Sequence, residues 1–115
     1  MEVLTTLILA YPRGAEINLD YYVSSHLALA LPPIKKAGLR RWRVTKDARA
    51  APGGAAGDWE VVVLLEFDDL ASIAALTAPG TEADRAAAAA DLPNYSKLPP
   101  VKWVVEEVAS GEVAA

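Results

Sequence analysis

Two stretches, residues 3–11 and 59–67, are apolar at most positions of both parities of the alternation that a strand imposes. A strand with one face in water alternates apolar and polar residues. A strand apolar on both parities is covered on both sides. That double demand constrains the architecture more than any motif, because it asks for two covering layers.

The rest of the chain supplies only one of them. Residues 3–11 stop at the turn signal Pro12-Arg13-Gly14. Asn18 is placed to cap a helix, with Asp20 in its first turn. Leu19, Tyr22, Val23, His26, Leu27 and Ala30 recur at spacings of three and four, which predicts one inward helix face. Pro32 and Pro33 are expected to interrupt that helix, leaving a short turn over residues 33–37 that Gly38 closes. Residues 39–46 alternate as a second strand. Residues 50–57, small and glycine-rich, are expected to form the most mobile internal loop. A third strand at 59–67 leads to a helix capped by Asp68 or Asp69, which ends at Pro79-Gly80. Thr81 should cap the alanine-rich helix that follows, whose alanines read as helix propensity. Residues 101–108 form the last strand.

This order, β-α-β-β-α-β, is the split βαβ arrangement: an α+β fold with a four-stranded antiparallel sheet and helices on one face. The second sheet face then lacks a cover, and a second copy of the chain is the expected one. Residues 1–108 make a single domain and 109–115 a flexible tail.

Composition narrows the chemistry. The chain has no cysteine, which excludes disulfides, thiolate metal sites and cysteine nucleophiles, and a single histidine, which argues against zinc or non-haem iron. No dinucleotide fingerprint or phosphate loop is present, so no cofactor is expected. A net charge of −4 with scattered basic residues argues against nucleic acid. The apolar N-terminal stretch is too short to span a bilayer and carries Glu2 without leading basic residues, so the expectation is a cytoplasmic protein with no membrane partner. Apolar residues make up 53% of the chain, a high share for its size that is expected to serve a ligand pocket or a subunit interface.

His26 is the one side chain whose ordinary pKa lies near neutrality. Four residues after Tyr22, it can stack on the phenol and act as an acid or base, or it can be a core histidine bonded to a nearby carbonyl. Tyr11, Trp59 and Tyr95, with Leu19 and Val23, are the candidate walls of a hydrophobic ligand site. For Trp42 and Trp103, core or interface packing is the better reading. Asp91 is read as a cap for Leu92-Pro93-Asn94.

Gly14, Ile17-Asn18-Leu19-Asp20-Tyr21-Tyr22 and His26 together resemble the signature of the EthD-like family. Gly38-Leu39 at the second strand and Asp91-Leu92-Pro93-Asn94-Tyr95-Ser96 before the last strand extend the resemblance along nearly the whole chain. Two positions depart from it: Ala28 stands where the family commonly has proline, and Asn18 where it often has aspartate. The resemblance implies a ferredoxin-like domain that pairs into a dimeric α/β barrel, with an apolar pocket in each protomer. Proteins of this architecture include cofactor-independent oxygenases, lactone isomerases, polyketide cyclases and dehydratases. The implied function is binding of an aromatic or polyketide-like molecule by a homodimer, with isomerase, cyclase or oxygenase chemistry at His26 assisted by Tyr22. The alternative is a non-catalytic binding or accessory protein.

Overall fold

A computed structural model describes residues 3–114. Strand β1 (Thr5–Pro12) leads into α1 (Leu19–Tyr21), a π-helical turn (Tyr22–His26) and α2 (Leu27–Lys36), which run on as one long helix. Then come β2 (Leu39–Lys46), β3 (Trp59–Phe67), α3 (Leu70–Ala74) with a 3-10 turn (Ala75–Thr77), α4 (Glu82–Asp91) with a second 3-10 turn (Leu92–Asn94), and β4 (Val101–Glu106). The sheet order is β2-β3-β1-β4 and every pairing is antiparallel. This is the α+β, ferredoxin-like topology expected from the order of elements. Residues 107–114 have no regular structure, and Ala115, the end of the expected tail, lies outside the described residues.

Register separates the two sheet faces. Leu7 opposes Leu65, Leu9 opposes Val63 and Tyr11 opposes Val61, and these residues form the helix-covered face with Phe67. Tyr11, Val61, Val63 and Phe67 are sealed almost completely. The other parity places Ile8 opposite Leu64 and opposite Trp103, with Val62, Val101 and Val105 nearby in the ladder. No described element covers that face, and Val101, Trp103 and Val105 stand exposed on it. Arg43 and the nearly buried Glu66 pair there at 2.9 Å.

Two expectations about the long helix need correction. The prolines do not interrupt it: residues 32 and 33 lie inside α2. The carbonyls their missing N–H groups would have met belong to Ala28 and Leu29. Both residues are exposed, so water can serve those oxygens. Leu31 and Ile34, packed on the core, hold the segment on either side. Nor is the helix regular, because the N–H of Leu27 donates to the carbonyl of Tyr22, five residues back. The Ser24 hydroxyl donates to the Asp20 carbonyl at 2.6 Å, the local competition that bends and widens helices.

The caps mostly fall where the sequence placed them. Asn18 Oδ1 accepts from the N–H of Tyr21, and Asp69 Oδ1 accepts from the N–H of Ser72. Gly38 adopts φ +115°, and a Cβ there would also meet Ser72 Oγ at 3.2 Å, so glycine suits the position twice over. Thr81 departs from its expected role. Its hydroxyl donates back to the Ala78 carbonyl instead of capping α4.

Candidate functional site

The loop from Gly14 to Asn18 is sewn to the segment that follows α4, and this fixes the site. The N–H of Asn18 donates to the Tyr95 carbonyl at 2.9 Å, and the N–H of Lys97 to the Ala15 carbonyl at 2.8 Å. Glu60, at the bulge where β3 meets Pro12, accepts from the N–H groups of Glu16 and Ile17. Tyr95 is thereby held against the long helix. Its hydroxyl shares a 3.0 Å hydrogen bond with that of Tyr11.

His26 is 6% exposed. Its ring lies 4.4 Å from that of Tyr95 and 5.0 Å from that of Tyr22, centroid to centroid. Nδ1 meets Asp91 Oδ2 at 2.9 Å. The other carboxylate oxygen of Asp91 accepts from the Tyr21 hydroxyl at 2.6 Å and from Asn94 Nδ2 at 2.9 Å. Those three donors favour the anion, led by Tyr21, and hold the Asp91 pKa down at about 2. A permanent carboxylate at Nδ1 selects the tautomer with the proton on that nitrogen. Nε2 is then left as a base, with no partner among the described residues and not sealed from the cavity that the ring lines.

Asp91 ties the site to acid stability. A carboxylate whose pKa is lowered by folding adds stability above its unfolded value, near 4, and loses it as pH falls through about 2. Denaturant titrations at pH 6 and pH 2.5 should therefore show a smaller acid loss in Asp91→Asn than in the wild type. Equal losses would mean that the carboxylate is not held by these bonds.

The cavity measures about 640 Å³. Its floor is Leu7, Leu9 and Leu65 of the sheet, and its walls include Ile34, Ile73 and Leu76. The opposite side is α4. Thr81, Asp84, Arg85, Ala88, Ala89 and Leu92 line it at the spacing of a single helical stripe. No residue of α4 is buried. Alanine at 88 and 89, where a packed helix would carry leucine, is what leaves the space open.

The tyrosines at the inner end are kept as neutral donors. Burial pushes Tyr22 up to about 12 and raises Tyr11 and Tyr95 as well. Tyr22 is buried beside the imidazole but makes no hydrogen bond to it. The group that orients the ring is Asp91, whose spacing to Asn94 reads in the sequence only as a local cap.

Of the expected walls, Tyr11 and Tyr95 line the cavity; Leu19 packs on the core behind it. Val23 does not face it. It is 48% exposed and borders a shallow groove with Leu27, Leu31 and Trp42, where the helix overhangs the β2 edge of the sheet. Trp59 is also elsewhere. The bulge beside Pro12 turns it to the uncovered sheet face, where its ring meets that of Trp103 at 5.2 Å. Among the described residues, no group of three potential metal-ligating side chains converges. No described helix is long and apolar enough to cross a membrane.

No protein-family model matches the chain, and no curated protein does. Solved structures do. An EthD-like protein from Ralstonia eutropha JMP134 superposes with a TM-score of 0.70 at 20% identity, over 96% of this chain and 97% of that one. This chain has the EthD-like fold. An ethyl tert-butyl ether D (EthD) family protein from Bacillus halodurans C-125 shares it at a TM-score of 0.57 and 19% identity, over 94% of this chain and all of that one. A Nitrosomonas europaea protein of unknown function reaches 0.56 at 24% identity, over 100% and 98%. The EthD-like resemblance read from residues 14–26 and 91–96 and the likeness in fold thus agree.

Proposed function

We propose that the chain is a homodimeric protein that binds a hydrophobic, ring-containing molecule and carries out cofactor-independent proton transfer on it. One observation carries this reading: an imidazole anchored through Nδ1 by an ionised Asp91, with Nε2 unpaired among the described residues, lines a mostly apolar cavity of about 640 Å³. In that arrangement Nε2 takes a proton from an activated C–H or O–H of the ligand. The electron pair stays on the ligand as an enolate or phenolate, and Asp91 stabilises the imidazolium. The hydroxyl pair of Tyr11 and Tyr95 has one proton not used between the two oxygens, which can be donated to the developing oxyanion. Returning the proton to another atom of the ligand gives isomerisation; attack of the carbanion on a carbonyl carbon of the same ligand, with the C=O π pair moving to oxygen and the proton delivered there, gives cyclisation. Leaving the anion for dioxygen gives oxygenase chemistry.

Filling the cavity tests the binding half of this proposal. Ala88→Phe places a ring in the space opposite the sheet floor while keeping His26 and Asp91 themselves. Binding of two- and three-ring aromatic probes, followed by ligand-detected NMR, should weaken by about tenfold or more, since the displaced contacts are those of a buried ring. Failure of every probe to bind the wild type, or unchanged binding in the variant, would remove the cavity from the function.

A further inference from the structure

Among the described residues, the sheet floor of the cavity presents one charged side chain, Lys102. We propose that Lys102 reads an acidic group on the ligand, so that the molecule taken by this site is a hydrophobic ring system bearing a carboxylate or phenolate. The inference rests on the cavity being the ligand site and adds the chemical class of its occupant.

Lys102 opposes Leu9 in the β1–β4 ladder and shares its face. Tyr11 lies one side-chain row further along β1, about 7 Å away at strand spacing. The hydroxyl of Tyr11 meets Tyr95, and the ring of Tyr95 meets His26. An ammonium on a flexible four-carbon stem at this position therefore lines the same cavity as the His26 ring. Its charge is not used elsewhere, because Lys102 has no ion pair among the described residues.

The other cation at the cavity is differently placed. Arg85 Nε is bonded to Thr81 Oγ1, and Glu82 and Asp84 stand beside it in the same helical turn. Its field is opposed locally, whereas Lys102, exposed at the cavity rim on the edge strand β4, has no acidic side chain paired with it among the described residues. The chain as a whole carries −4 and repels anions, so an unopposed cation at this point selects which end of an acidic ligand enters. With the acidic group on Lys102, the ring system lies along Leu7, Leu9 and Ala88 and its far atoms reach His26.

The test compares 2-naphthoate with its neutral isostere 2-naphthamide, with dissociation constants measured by fluorescence titration at pH 7 and low salt. The wild type should bind the carboxylate about tenfold tighter or more. Lys102→Met should bring the two constants within about twofold while leaving naphthamide affinity unchanged, and Lys102→Arg should keep the discrimination. Lys46→Met, a strand lysine outside the cavity, should behave as wild type. Equal binding of the two probes by the wild type, or discrimination that survives Lys102→Met in a protein of normal circular dichroism, would overturn the assignment and leave the cavity reading standing. Binding of neither probe would overturn both.

Discussion

A Trp103→Glu variant is expected to remain folded but sediment as a single 12.2 kDa chain, whereas the wild type sediments at twice that mass. The face carrying Ile8, Leu64, Trp103 and Val105 is apolar and uncovered, and a second copy meeting it through the same face makes a self-complementary contact. Such an interface removes more than roughly 1,000 Å² in total. By symmetry each substitution is present twice, so two carboxylates become buried against apolar partners. Weakening of the dimer by about 10³-fold or more follows from the cost of even a partly relieved buried charge. Val23→Glu is the matched control: it adds the same charge at a residue of similar exposure, but on the helix flank, and should leave the dimer intact. A wild-type protein that is monomeric at micromolar concentration with folded spectra would refute the homodimer.

His26→Ala should separate catalysis from binding. The ring is buried against Tyr22 and Tyr95, so a modest loss of melting temperature is expected with dimer and cavity retained. Turnover of the true substrate should fall by about 10²-fold or more, in kcat rather than KM, because the lost proton acceptor acts on the reacting atom. Asp91→Asn should lower kcat as well while keeping the imidazole, through loss of the anion that fixes its tautomer. Activity at wild-type level in folded His26→Ala would end the proton-transfer reading and leave a protein that binds without turnover.

The sheet was legible because its information is local. β3 occupies the span marked by its mostly apolar residues, and Asn18, Gly38 and Asp69 act within a few residues of themselves. The site was legible only in part. His26 and Tyr22 stood out by residue type and spacing, but the partner of His26 lies 65 positions away, and the Asp91–Asn94 spacing is equally that of a local turn. The π-helical turn coincides with a serine hydroxyl bonded to the Asp20 carbonyl, a competition that leaves no trace in a period-of-3.6 reading. Val23 was misplaced because periodicity says which residues share a helix face, but not how far the sheet beneath extends. The alanine run was read for what alanine does to a backbone. Its other effect, the space it leaves, depends on what stands opposite, although the stripe Thr81, Arg85, Ala88 and Leu92 is visible in the sequence as a face.

The helix α4 carries that effect into thermodynamics. With none of its residues buried, it keeps its shape through alanine propensity, the acidic residues of its first turn and the bonds that Asp91 makes at its end. A helix of ten residues gains little from propensity alone. A ligand in the cavity would stand where the missing leucines would have stood, so that occupancy and folding become one equilibrium. At a ligand concentration a hundredfold above its dissociation constant, the native state would gain about 2.7 kcal/mol over the empty form. For this domain the bound molecule would be the last residue of its hydrophobic core, supplied from outside the gene.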